Sequence, residues 1–268
     1  MNTIARRVAG WLVPRLHAAR PLRAVGKRLL RGRVVTQPFH SGVICMDAVQ
    51  HAWAWTGTTR LDQRDAPIQE RLIELSRAST TMLDVGSNLG TMALAVALRN
   101  PDIRITCVEP NARASALLRQ TLALNRLTDR VTVVEAVVGD ADGDIGFVED
   151  GSTTGHVAAG GTRKPMIDFA RLLAEHAASG RCLVKIDVEG FEAALLAQLG
   201  CVRDRRNLIA IVELHAHGFN GLGDPHGSVE RLRESGAMIT DIGGHPITTV
   251  APWTDRVRTM QIEARWPA

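Results

Sequence analysis

Asp187 and Glu189 follow directly on the apolar stretch Cys182-Leu183-Val184 and Ile186, within the segment LVKIDVEGFE. Glu213 and His215 close a second apolar run that starts at Leu208, and their spacing of two puts both on one face of a strand. Two buried strands therefore end in polar side chains that packing alone does not require. An alcohol is a poor nucleophile at neutral pH, so a site that uses one needs a general base to take its proton or a divalent cation to hold and acidify it. His215 is the candidate base. Asp187, Glu189 and Glu213 are the candidates to orient an acceptor or to hold Mg²⁺, a cation that prefers carboxylate oxygen. The competing structural role for Asp187 and Glu189 is to cap and complement a helix starting near Phe191.

The elements that must position these residues are legible as an alternation. The spacing predicts strand TMLDVG from Thr81, helix Thr91–Arg99, strand IRITCVE, helix Asn111–Leu127 and strand VTVVEAVV. Residues 140–165, rich in Gly and Thr, break the rhythm and are expected to form a hairpin and a loop. Helix Ile167–Ala177, strand Cys182–Asp187, helix Phe191–Leu199, strand Leu208–Leu214 and helix Ser228–Glu234 restore it. Strands alternating with helices imply right-handed crossovers and a parallel sheet. The final pair, Ala237–Ile242 and Arg256–Ala264, is joined by a connection too short for a crossover helix, so it is expected to be antiparallel. Upstream, Val43–Gly57 and Ala66–Ala78 suggest a short strand pair and a helix. The organisation expected is a basic arm (1–40), an N-terminal cap (41–80) and an α/β domain (81–268).

The first strand exits through Asp84-Val85-Gly86-Ser87-Asn88-Leu89-Gly90, a G-x-x-x-G and not the G-x-G-x-x-G that brings a backbone against a pyrophosphate. With the antiparallel ending, this spacing argues against a nicotinamide oxidoreductase. The second strand exits at Glu109, whose carboxylate offers two acceptor oxygens to a vicinal diol such as a ribose. Ala136 and Val137, at the end of the third strand, are candidates for an apolar wall against an adenine.

Composition narrows the classes further. Residues Met1–Arg33 hold nine Lys or Arg and no acid, leaving 23 basic against 28 acidic side chains in the rest of the chain. Such an arm suits an anionic membrane surface or nucleic acid, or simply packs on the domain. A nucleic-acid binder is the weaker reading, because the chain has no tyrosine, 4% aromatics and no aromatic residues interleaved with the basic ones. No apolar run approaches the length of a membrane span, and the four cysteines lack C-x-x-C spacing, so a reduced, cytoplasmic protein is expected. His51, Trp53 and Trp55 would form either a stacking wall for a sugar ring or the buried face of a strand.

The segments LDVGSNLG, CVEPN, Met166-Ile167-Asp168 and, most distinctively, VKIDVEGFE resemble the FkbM family of S-adenosylmethionine-dependent methyltransferases. The resemblance runs from about Thr81 to Glu213. It implies a class I, Rossmann-like fold and transfer of a methyl group to a hydroxyl of a sugar, polyketide or related small molecule. At the switch point of such a sheet, Asp84, Gly86 and Asn88 are expected near the methionine part of the cofactor and Glu109 on its ribose, while Gly90, the other cofactor-loop glycine, lets the following helix approach the strand. Asp187 would then lie near the transferable methyl. Acceptor choice is expected to reside in Met1–Ala78 and the loop 150–165.

Overall fold

The computed structural model describes residues 27–56, 61–149, 155–188, 191–201, 205–215, 225–248 and 259–267. The chain opens with strands β1 (Val34–Phe39) and β2 (Gly42–Asp47) and helices α1 (Ala52–Thr56), α2 (Leu61–Arg64) and α3 (Ala66–Ser76). The alternating region follows: β3 (Thr81–Val85), α4 (Thr91–Arg99), β4 (Arg104–Val108), α5 (Ala112–Leu124), β5 (Val131–Val134) and β6 (Val137–Gly139). Next come β7 (Gly143–Glu149), β8 (Gly155–Val157), β9 (Thr162–Asp168), α6 (Phe169–Ala177), β10 (Cys182–Ile186) and α7 (Glu192–Leu199). The chain finishes with β11 (Leu208–His215), α8 (Pro225–Glu234), β12 (Met238–Thr240) and β13 (Thr259–Arg265).

Seven strands form the main sheet in the order β12-β13-β11-β10-β3-β4-β5. All ladders from β11 to β5 are parallel, and β13 runs antiparallel to both β11 and β12. The antiparallel ending is as the connection length predicts; the last strand also inserts between its partner and the rest of the sheet. This is the class I methyltransferase arrangement. Because strand side chains alternate, each strand feeds two cores. Cys182, Val184 and Ile186 pack with α6, α7 and α8, whereas Leu183 packs with Met82, Ile209 and Ile211 under α3, α4 and α5. By the same period of two, Lys185 and Asp187 continue the Leu183 row, Asp84 the Met82 row, and Glu213 and His215 the Ile211 row. At the carboxyl ends of the strands these rows turn from apolar to polar on the α4 side of the sheet.

Several expectations are corrected. The stretch VTVVEAVV is split between β5 in the main sheet and β6 in a second, four-stranded sheet of order β6-β9-β7-β8. Residues Thr162–Asp168 form β9, so α6 begins at Phe169, capped by Asp168, whose carboxylate accepts from the Ala170 and Arg171 amides. β1 falls within the stretch assigned to the arm, and it pairs with β2 as an antiparallel hairpin packed on α5. The hairpin is fixed there by the Thr121 hydroxyl and the Asn125 carboxamide, which accept the Cys45 and Val43 amides. Trp53 lies on helix α1 and not on a strand, because Asp47 turns the chain by accepting the Val49 and Gln50 amides.

Candidate active site

β3 ends in a turn that only glycine can make. Gly86 has φ +74°, and a Cβ there would sit 1.8 Å from the Asp187 carbonyl oxygen. The turn is thereby pressed against the exit of β10. Gly90, also left-handed at φ +76°, has no room for a side chain because Leu118 of α5 fills that space. Gly86→Ala is expected to cost more than about 2 kcal/mol from left-handed strain plus the clash, read as a lowered urea midpoint.

Between Gly86 and Glu109 the chain builds a fixed carboxylate. The Asn88 and Asn111 amides donate to Glu109 Oε2 and Oε1, each at 2.8 Å. Burial outweighs these bonds and raises the Glu109 pKa to about 7. The carboxylate edges a cavity of about 340 Å³ whose far side is Ala136, Val137, Val138, Phe147 and Phe191. A polar end with a diol acceptor and an apolar slot fit a nucleoside. The small sheet supplies Phe147, Gly155 and Val157 to this cavity and so partly encloses it.

A second cavity, of about 470 Å³, shares Gly86, Asn88 and Asp187 with the first. Its inner end carries Lys185, Asp187, Glu213 and His215, and its outer wall comes from the N-terminal cap: Gln50, His51, Trp53, Arg64 and Asp65. The two cavities thus meet at the exit of β10.

The polar groups at that junction are ordered by two residues that the sequence reading passed over. Lys185, on β10 opposite Asp84 on β3, is buried between three oxygens. Its Nζ lies 3.2 Å from the Gly86 carbonyl, 3.2 Å from Asp187 Oδ2 and 3.6 Å from Asp84 Oδ1. Burial pulls its pKa down, but Asp187 and Asp84 together overcome that and hold it above the ordinary lysine value. Burial raises the Asp84 pKa, with Lys185 opposing. Asp84 itself is fully buried and lines neither cavity; it is paired with Lys185, and its charge also pushes the Glu109 pKa up.

Glu192 is the other. It opens α7, is fully buried, and its Oε1 lies 2.9 Å from His215 Nδ1. A carboxylate at a helix N-terminus is favoured by the helix dipole. The second imidazole nitrogen, Nε2, faces Asp187 Oδ1 at 3.8 Å and Glu213 Oε1 at 3.9 Å. With Nδ1–H donating to Glu192, Nε2 is left as a proton acceptor turned toward the junction. Glu213 is bound by the Gln261 carboxamide at 3.2 Å, and burial followed by the Asp187 charge raises its pKa.

Asp187 does not act as a helix cap. The N-cap of α7 is Phe191, with no side-chain cap, and the Asp187 carboxylate is turned to Lys185 and His215 instead. Nor do Asp187 and Glu213 fit a Mg²⁺ site. The Lys185 ammonium already lies against Asp187, and among the described residues no three His, Cys, Asp or Glu side chains are grouped to hold a metal ion. Glu189, the third candidate ligand, is outside the described residues, as is the Trp55 side chain.

The Methyltransferase FkbM domain matches residues 84–238, more than half of the chain. The chain belongs to the FkbM family of methyltransferases. The match takes in Gly86, Glu109, Asp187, Glu192 and His215, and this S-adenosylmethionine-dependent family accounts for a nucleoside-shaped cavity at the switch point of the sheet. Ribosomal RNA small subunit methyltransferase G of Salinispora tropica is 30% identical over 161 residues, 58% of this FkbM chain and 62% of that protein. The protein of the same name from Methylobacterium radiotolerans is 38% identical over 77 residues, 27% of this chain and 36% of that protein. The chain therefore spans less than two thirds of the length of these curated relatives. Among solved structures, M. jannaschii TYW2 in complex with AdoMet has a TM-score of 0.46 at 12% identity, covering 86% of this chain and 84% of that one.

The Glu109 geometry gives the FkbM site a measurable pH signature. Were ribose hydroxyls to donate to the ionised carboxylate, binding would have to expel any proton that Glu109 holds in the free protein. With a free pKa of about 7, affinity for S-adenosylmethionine should be flat above pH 7 and fall about tenfold per pH unit below it. Glu109→Gln should bind more weakly and lose that slope. Calorimetric titrations across pH check both, and an equal slope in the variant would remove Glu109 from the ribose.

Proposed function

We propose that this FkbM protein transfers the methyl group of S-adenosylmethionine to a hydroxyl oxygen of a small, polyhydroxylated acceptor, with His215 as general base. The observation that carries this reading is the junction of the two cavities at Asp187, with the His215–Glu192 pair directed at it. The Glu109 carboxylate, the Gly86 turn and the apolar slot of Ala136 and Val137 hold the cofactor; Asn88 and Asp187 border its reactive end. Bound there, the cofactor supplies an electrophilic methyl group on a sulfonium. His215 accepts the acceptor's hydroxyl proton at Nε2 as the oxygen forms its bond to the methyl carbon and the carbon–sulfur bond breaks, leaving S-adenosylhomocysteine. The resulting imidazolium is paired with Glu192, in the manner of any base oriented by a carboxylate. Glu213 and Asp187 accept hydrogen bonds from the acceptor's hydroxyls.

The cap wall favours a saccharide-like ring within this class. Gln50, His51 and Asp65 offer donors and acceptors, and Trp53 contributes an indole whose face is shared by the Arg64 guanidinium at 4.7 Å. The four free thiols, Cys45, Cys107, Cys182 and Cys201, suit a cytoplasmic reaction, and no described helix is long and apolar enough to cross a membrane. A metal is not needed in this scheme, so a chelator should leave the rate unchanged.

Similarity to the ribosomal RNA methyltransferases favours a second reading, methylation of RNA. Incubation with methyl-tritiated cofactor, a set of neutral glycosides, fractionated small-molecule extracts and total RNA separates the two. Label in a base-stable methyl ether of a small molecule is the expected result. Label in RNA alone would replace the proposal with the second reading.

A further inference from the structure

The first described residues, Lys27 to Val34, read KRLLRGRV and form a helical turn leading into β1. Three apolar side chains stand in solvent there: Leu29 at 71% exposure, Leu30 at 36% and Val34 at 38%. Lys27, Arg28, Arg31 and Arg33 surround them and are exposed as well. The segment is not loosely attached. The Arg33 carbonyl accepts the Ala48 amide at 2.9 Å, the Arg33 amide donates to the Leu30 carbonyl at 3.0 Å, and Arg113 reaches the Gly32 carbonyl at 3.3 Å. Leucines at such exposure cost solvation, and four cations in eight residues repel one another. A surface that supplies both apolar depth and negative charge relieves both.

We propose that Lys27–Val34 docks this protein on an anionic phospholipid surface, with Leu29 and Leu30 entering the interface and the four cations among the lipid phosphates. The wider charge distribution agrees with that orientation: the first 33 residues are purely basic, while the remainder carries five more acids than bases, 28 against 23. The acidic body is repelled from the surface that the basic segment seeks. Nucleic acid fits the same cations less well, because exposed leucines contribute nothing to phosphate contact and the segment has no aromatic side chain on which a base could stack. The inference is independent of the acceptor proposed above.

The test is co-sedimentation of the full chain with vesicles of mixed phosphatidylglycerol and phosphatidylcholine, against vesicles of phosphatidylcholine alone, at low and high salt. Binding to the anionic vesicles only, weakened by salt, is expected. Arg28→Ser with Arg31→Ser should weaken it roughly 30-fold, about fivefold for each cation. Leu29→Ser with Leu30→Ser should weaken it about tenfold or more while leaving the charge intact. Unfolding midpoints equal to the parent's show that each variant is folded. The proposal is overturned by equal binding to both vesicle types, by no binding, or by binding that the leucine substitutions leave unchanged. Retention on single-stranded RNA with no vesicle binding would assign the segment to nucleic acid instead.

Discussion

Lys185→Met is expected to destabilise the protein by about 3–5 kcal/mol at neutral pH, because it removes the cation from between two carboxylates, one of them wholly buried. In the native protein Lys185 contacts Asp84 and Asp187 at once. Without it, burial and the Asp187 charge act on Asp84 against the Ala93 amide, and its folded-state pKa climbs further. The folded variant then keeps a proton that the unfolded chain releases at about pH 3.9. Between the two pKa values the folded state binds more protons than the unfolded one, so stability falls as pH rises through that window. The variant should therefore be nearest to the parent in acid and furthest from it at neutral pH. Adding Asp84→Asn should recover a large part of the loss, since the isosteric amide carries no charge. Urea unfolding of the three proteins at acid and neutral pH reads this directly. A loss below about 1 kcal/mol, or no recovery in the double variant, would mean that Lys185 is not the counter-charge of Asp84.

His215→Ala is expected to lower kcat by a factor on the order of 10² to 10⁴ while leaving cofactor affinity unchanged, since the side chain lines only the acceptor cavity. Glu192→Gln should lower kcat on the order of 10². An amide still bonds Nδ1, but it does not stabilise the imidazolium and can present the wrong tautomer to it. Glu192 is a positioning residue, so its substitution should spare the acceptor KM. A Glu192→Gln protein with parental kcat would reduce the pair to a packing contact.

The strands that carry the site are legible in the sequence, and the residues that complete it are hidden there for physical reasons. Periodicity within one segment reveals β3, β4, β10 and β11, and the short final connection reveals the antiparallel ending. Lys185 was hidden because its meaning lies in the register of two parallel strands, which places it beside Asp84 across 100 residues of sequence. Inside VKID it reads only as an interruption of an apolar run. Glu192 was hidden in the same way: a glutamate in the first turn of a helix is ordinary, and only the approach of β11 gives it His215 as a partner. An acid directly before the apolar run Ala193–Leu196, on a helix packed against the sheet, was the available signal. Of the small sheet, the hairpin of β7 and β8 was legible, but not the parallel pairing of β6, three residues long, with β9 from a distant segment. Trp53 was misplaced because alternating aromatics imitate a strand, while the turn signal that sets it on a helix is the side chain of Asp47.

Methyl transfer by this mechanism depends on proton removal by the imidazole at position 215. Single-turnover transfer in His215→Ala, with cofactor saturating and free imidazole titrated into the open cavity, tests it most directly. A slow variant is expected whose rate rises with imidazole toward a plateau, with no recovery from imidazole in Glu109→Ala, whose defect is cofactor binding. A His215→Ala protein that transfers methyl groups at the parental rate without imidazole would contradict it.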